Sequence, residues 1–110
     1  MQEKELKNSE ELMKYKDLID TIIEGLNYVN SKLKIGEFDK SIEILSEMIT
    51  GINAVISGIG YKMNSNLQGR EDEYLELLVS AYEQRDTKNI NFNIDKIVIP
   101  FMIEIQTYCY

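Results

Sequence analysis

The sequence contains no histidine and no tryptophan, one cysteine and one proline. Without histidine, Ser-His-Asp and Cys-His catalysis, histidine-ligated zinc or haem, and di-iron bundles built on Glu-x-x-His are excluded. The lone cysteine, Cys109, permits no internal disulfide, which suits a reducing compartment, and no basic neighbour stands beside it to lower its pKa. The glycines make no Gly-x-x-x-x-Gly-Lys phosphate loop. Long apolar runs are missing as well. The longest uncharged stretch, Met48 to Tyr61, has 14 residues and is interrupted by Gly51, Gly58 and Gly60, too short to span a bilayer. The opening Met1-Gln2-Glu3-Lys4-Glu5 is charged where a signal peptide needs an apolar core, so a cytoplasmic protein is expected.

Basic charge is also scarce, with 12 Lys and Arg against 19 Asp and Glu and a net charge of -7. The imbalance sits in the middle of the chain: residues 41–86 hold eight acids and three bases, whereas residues 87–110 hold two of each. An acidic middle with no basic stripe repels phosphate backbones and anionic lipid, so neither nucleic acid nor a membrane surface is an expected partner.

What is present is helical periodicity. Leu12, Tyr15, Ile19, Ile22, Leu26, Val29 and Leu33 alternate spacings of three and four, which predicts a long amphipathic helix over residues 9–34. The positions flanking this seam hold Leu18 and Ile23 beside Lys16, Gly25, Asn30 and Lys32. A two-stranded coiled coil carries paired charges there, so the wider apolar face fits one wall of a bundle. Residues 1–8 are charged and lack seam residues, predicting a frayed lead-in, with Asn8 and Glu11 or Ser9 as candidate caps. Gly36 is placed to end the helix, and Lys32 and Lys34 suit its negative pole.

A second helix is predicted over residues 38–59, capped by Asp39, with Phe38, Ile42, Leu45, Ile49, Ile52, Ile56 and Ile59 as its seam. One flank carries Met48 and Val55, the other Ser46 and Asn53. Gly51 and Gly58 lower intrinsic helicity and read as points of close helix approach or fraying rather than ligand contacts. Residues 60–70 read as a polar loop, and a third helix over 69–85 buries Tyr74, Leu75, Leu78, Ala81 and Tyr82. Its opening Glu71, Asp72 and Glu73 complement the helix dipole.

The last segment carries two signals. Ile90 to Ile94 alternates with period two and Ile97-Val98-Ile99 is β-branched, as in a strand. Against this, Ile90, Ile94, Ile97, Phe101, Ile105 and Tyr108 form a helical stripe, Asp86 or Thr87 offers an N-cap, and a lone strand would have no partner for its backbone. A helix over 87–109 is therefore favoured, with Pro100 removing the hydrogen bond to the carbonyl of Lys96 and introducing a kink.

Glu83-Gln84-Arg85-Asp86, the following amphipathic run, and Ile99-Pro100-Phe101-Met102-Ile103-Glu104 resemble the end of a family of short, uncharacterised helical proteins of Gram-positive bacteria. The turn Lys34-Ile35-Gly36-Glu37-Phe38-Asp39 is similar too, while Asn91 and Asn93 depart from the family's helix-favouring pattern. The resemblance implies a small helical bundle and carries no known activity or functional residues. A more distant similarity, in helix order and in the Gly36-Glu37-Phe38 turn, is to flagellin-type export chaperones, compact bundles that wrap a partner's helix; such likeness concerns architecture, not function.

One constellation could do chemistry. Glu73 and Glu76 are three apart, and Glu83 and Asp86 repeat the spacing, as in the magnesium-binding helices of all-helical nucleotide pyrophosphatases. Magnesium needs convergent oxygens, normally drawn from two helices, and here all four acids fall on one short stretch, so a solvated acidic face is the plainer reading and no metal or other cofactor is expected. Seven tyrosines and five methionines suit adaptable contact surfaces, with Tyr28, Tyr61, Tyr108, Met13 and Met63 near the seam edges; most should be core or rim. The sequence thus predicts one all-α domain over residues 1–110, an antiparallel four-helix bundle with a proline-kinked last helix. Its expected role is non-enzymatic, an adaptor or small chaperone binding a protein partner or itself through an apolar groove, against carboxylate-metal phosphate hydrolysis as the alternative.

Overall fold

The structure, a computed structural model, describes residues 2–60 and 69–109, with side chains described from Glu10 onward. The core of the expected polar loop, residues 61–68 with Tyr61 and Met63, lies outside the described residues. Among the described residues all regular structure is helical and none is strand, so the fold is all-α. The elements are α1 (Gln2–Lys34), α2 (Phe38–Ile59), α3 (Arg70–Glu83), α4 (Thr87–Asn93), a π turn (Ile94–Val98), α5 (Ile99–Gln106) and a final 3₁₀ turn (Thr107–Cys109).

α1 begins at Gln2 and passes through Asn8 and Ser9, so neither residue caps it. Residues 2–7 are mostly Glu, Lys, Leu and Gln, which sustain a helix by propensity without a seam. The 33 residues of α1, at about 1.5 Å each, account for the molecule's longest dimension of 52 Å. Ile19, Ile22, Leu26, Val29 and Leu33 are buried along it, with Leu12 and Tyr15 packed against them, as the periodicity predicts.

The helix ends as a Schellman motif. Gly36 takes φ +80°, its N–H donates to the carbonyl of Leu33 at 3.1 Å, and Glu37 N–H donates to Lys32 O at 2.9 Å. This turn leaves no room for a separate capping residue at Asp39. Glu37 is the N-cap of α2, without a side-chain hydrogen bond, and Asp39 lies in the first turn, where its charge suits the dipole.

α2 packs along α1, and its buried line keeps Leu45, Ile52 and Ile59 of the predicted seam but turns toward the Ser41 and Val55 side. The residues turned inward are Ser41, Leu45, Ile52, Val55 and Ile59, with Met48 packed against the core. Phe38, Ile49 and Ile56 are only partly buried and Ile42 is 39% exposed. The rotation follows from close contact between the helices. A Cβ added at Gly58 would overlap the Tyr15 ring, one at Gly25 would overlap the Met48 thioether, and one at Gly51 would come within 3.1 Å of Ile22 Cδ1. Three glycines on one interface bring the backbones together on the Met48 and Val55 side of α2. That is the close-approach role expected of Gly51 and Gly58; Gly25 adds a third. By length and composition α2 is also long and apolar enough to cross a membrane, in contrast to the expectation from its uncharged stretch alone.

α3 buries Leu78 and Ala81, with Tyr74 and Tyr82 packed against the core, and sits on α4 and the π turn. Its end repeats the Schellman geometry without glycine. Arg85 takes φ 54° and donates to Tyr82 O at 3.0 Å, while Asp86 N–H donates to Ala81 O at 3.1 Å. Asp86 then caps α4, its side chain accepting from Asn89 N–H at 3.2 Å.

Residues 90–99 are helical, which resolves the strand alternative. Ile90, Ile94, Val98, Met102, Ile105 and Cys109 are buried, and the spacing-of-four run from Ile90 to Met102 is kept facing the core by the extra residue of the π turn. Ile99 N–H reaches back five residues to Ile94 O, and Pro100 falls in the first turn of α5, where a missing N–H matters least. α1 is fastened to this segment by Asn30, which is buried and donates to Asp95 Oδ1 at 2.7 Å, and by Gln106, which donates to Lys16 O at 3.1 Å and Asp20 Oδ1 at 2.7 Å.

Candidate functional site: the groove between α2 and α3

α2 makes its extended contact with α1; among the described residues it has no comparable packing against α3 or the last helical segment. α2 and α3 meet at one end. There the Phe38 and Tyr82 rings lie 5.4 Å apart, Tyr82 Oη donates to Ser41 Oγ at 3.3 Å, and Ser41 Oγ donates to Phe38 O at 2.6 Å. Burial raises the Tyr82 pKa above its ordinary value of 10.0, opposed by the hydrogen bond to Ser41. The Arg85 guanidinium caps this end, 4.5 Å over the Phe38 ring and 3.6 Å from Asp39.

Beside this junction a groove of about 300 Å³ is lined by Ile42, Leu45, Ser46, Ile49, Val79, Tyr82 and Glu83. Its α2 wall is the row that the α1 interface leaves over: Ile42 and Ile49 lie two turns apart. Ile42 is 39% and Val79 45% exposed, and Leu77 on α3 is 46% exposed. Ile42 and Val79, on two helices, thus face one depression, while Leu77 lies outside its lining.

A second depression, of about 470 Å³, runs along α3 itself and is lined by Asp72, Leu75, Glu76, Val79, Ser80 and Glu83. Val79 and Glu83 belong to the linings of both depressions. Of the four acids weighed for magnesium, Glu76 and Glu83 stand on this wall, Glu73 lies outside both linings, and Asp86 is engaged as the cap of α4. All four are exposed, and no group of three metal-ligating side chains converges among the described residues. Of the proposed contact residues, Met13 and Tyr28 are exposed, at 54% and 46%, while Tyr108 is packed against the core. Tyr28 carries Lys32 5.1 Å above its ring, and the Lys32 pKa is raised chiefly by its hydrogen bond to Glu37.

The helical period places Ile42 and Ile49 together on the α2 seam and so does not mark them as a groove wall; Ile49 does pack against the core, whereas Ile42 is exposed. A signal was present: α2 carries more apolar rows than one neighbour can cover. Nothing matches the chain among curated proteins or solved structures. A family model does match, over residues 10–108, from the first side chain described in α1 to the final 3₁₀ turn, and by that match the chain belongs to the family described as a domain of unknown function, DUF8042.

Proposed function

We propose that this protein is a non-enzymatic interaction module, an adaptor or small chaperone, that receives a helix of a protein partner in the groove between α2 and α3. The observation that carries the reading is the aliphatic row of Ile42 and Ile49 facing Val79 across an open groove. Contiguous apolar surface flanked by polar residues is the usual mark of a protein contact, and a groove between helices suits an amphipathic helix. The reading takes the helices as an antiparallel bundle opened on its α2–α3 side, with a bend at Pro100. The flagellar export-chaperone likeness belongs to the same reading and rests on helix order and the Gly36-Glu37-Phe38 turn. A cytoplasmic setting is part of it too, supported by the single cysteine, Cys109, which permits no internal disulfide.

Metal-dependent phosphate hydrolysis is the weaker reading, since Glu73, Glu76 and Glu83 are exposed acids of one helix and Asp86 has a structural task. The test is affinity capture of the tagged protein from lysate of its own cells, in parallel with an Ile42→Glu, Val79→Glu variant. The expected result is one stoichiometric partner, lost in the variant. A partner retained by the variant, or a monomer that captures nothing, would overturn the groove reading.

A further inference from the structure

The charge around the groove specifies its occupant. Resting on the interaction reading above, we infer that the groove takes a partner's amphipathic helix that is basic along one edge: an apolar face on Ile42, Ile49 and Val79, with Lys or Arg side chains toward α3. Asp72, Glu76 and Glu83 are spaced by four and seven, which puts them on one face of α3 beside Val79. They line the depression that shares Val79 and Glu83 with the apolar groove, and neither lining includes a lysine or arginine. Arg85, two residues beyond Glu83, is turned toward Phe38 and Asp39 at the closed end.

A helix lying on the aliphatic floor therefore runs beside a wall of exposed carboxylates. Glutamate on its edge is repelled and lysine or arginine is attracted, and basic side chains also cover Leu75 with their aliphatic stems. A second copy of this chain is a poor occupant. Its net charge is -7, and residues 41–86, which hold the groove, are its most acidic part.

The experiment uses three labelled synthetic helical peptides of about 18 residues, long enough for the roughly five turns a groove-bound helix presents. They share one apolar face and differ only in an edge of Lys and Arg, of Gln, or of Glu. Binding is followed by anisotropy and by methyl NMR of Ile42, Ile49 and Val79. The basic peptide is expected to bind at least about tenfold tighter than the neutral one, to weaken about tenfold between 50 and 500 mM salt, and to shift the groove methyls. Glu76→Lys with Glu83→Lys, both at exposed positions, should remove the preference for the basic peptide over the neutral one. Equal binding of all three with groove shifts would overturn the charge inference and leave the groove reading standing. Binding of the basic peptide without groove shifts, or unaffected by the double charge reversal, would also overturn it. No binding by any peptide would count against both readings, and concentration-dependent dimerisation quenched by Ile42→Glu would make a second copy the occupant.

Discussion

The two sides of α2 carry similar aliphatic residues and have different fates. Toward α1, Leu45, Ile52, Val55 and Ile59 are buried against a helix that Gly25, Gly51 and Gly58 allow to come close. Toward α3, Ile42 and Ile49 face a groove, because α2 and α3 touch at the Phe38, Ser41 and Tyr82 end and do not pack along their length. Hydrophobicity alone does not distinguish these rows. What separates them is whether the two helices meet at small residues, Gly51 and Gly58 of α2 and Gly25 of α1, and present matching rows.

The largest effect expected from this contrast is in the closed seam. Leu26→Ala should lower the unfolding free energy by about 2–5 kcal/mol, since it deletes a fully buried side chain from a packed interface, whereas Ile42→Ala should cost under about 1 kcal/mol. Urea unfolding of the two variants measures the difference directly, and equal costs would mean that the groove is closed in solution.

Next in size is the glycine contact. Gly58→Ala places a methyl where the Tyr15 ring lies and should destabilise by about 1–3 kcal/mol despite alanine's better helix propensity. At Gly25 the obstacle is the thioether of Met48, a flexible side chain, so Gly25→Ala should cost less than Gly58→Ala. A reversed order in thermal melts would mean that Tyr15, not Met48, yields more readily.

The two Schellman turns offer a smaller test. Gly36→Ala forces a Cβ into the left-handed region at φ +80° and should cost about 1 kcal/mol. Arg85→Gly relaxes the same conformation but gives up the stacking on Phe38, so its net change should be smaller than that of Gly36→Ala. Denaturant midpoints of the two single variants decide the ranking.

The smallest effect is in pH. The folded-state pKa of Tyr82 lies above its unfolded value, so the neutral phenol favours folding. Its contribution is complete below about pH 10 and is lost as pH rises through the folded value. Lys32, also raised, has the same sign from about pH 10.5 upward. Tyr82→Phe should flatten the alkaline fall in stability above about pH 10, beside a small pH-independent cost for the lost hydrogen bond to Ser41, a difference thermal melts from pH 7 upward would show.

The sequence-based reading succeeded where one neighbour served one face. The α1 seam is buried as its spacing predicts, the bounds of α2 are those expected, and helix prevails over strand in residues 90–99 because an isolated strand has no backbone partner. On α2 the predicted seam holds for Leu45, Ile52 and Ile59, which are buried, and for Phe38, Ile49 and Ile56, which pack against the core, but not for exposed Ile42, because the flanking row of Met48 and Val55 competes for the same neighbour and only the partner's surface selects between them. The cap at Asp39 lost to Glu37 because the Gly36 turn set the entry of the helix. In the candidate site, Glu76 and Glu83 were singled out for their spacing, but their place beside an apolar groove follows from how α2 and α3 diverge, which no local pattern encodes.

The chain by itself determined what is local or compositional: the helices, the Gly36 turn, the Asp86 cap, the absence of histidine chemistry and the acidic middle. Each depends on residues a few positions apart or on totals. Tertiary structure decided the rotation of α2, the π turn that keeps Val98 and Met102 on the core beside Pro100, and the open side where Ile42 meets Val79. Those outcomes depend on close packing between surfaces far apart in sequence, where one methyl at Gly25 or Gly58 would change which rows can meet.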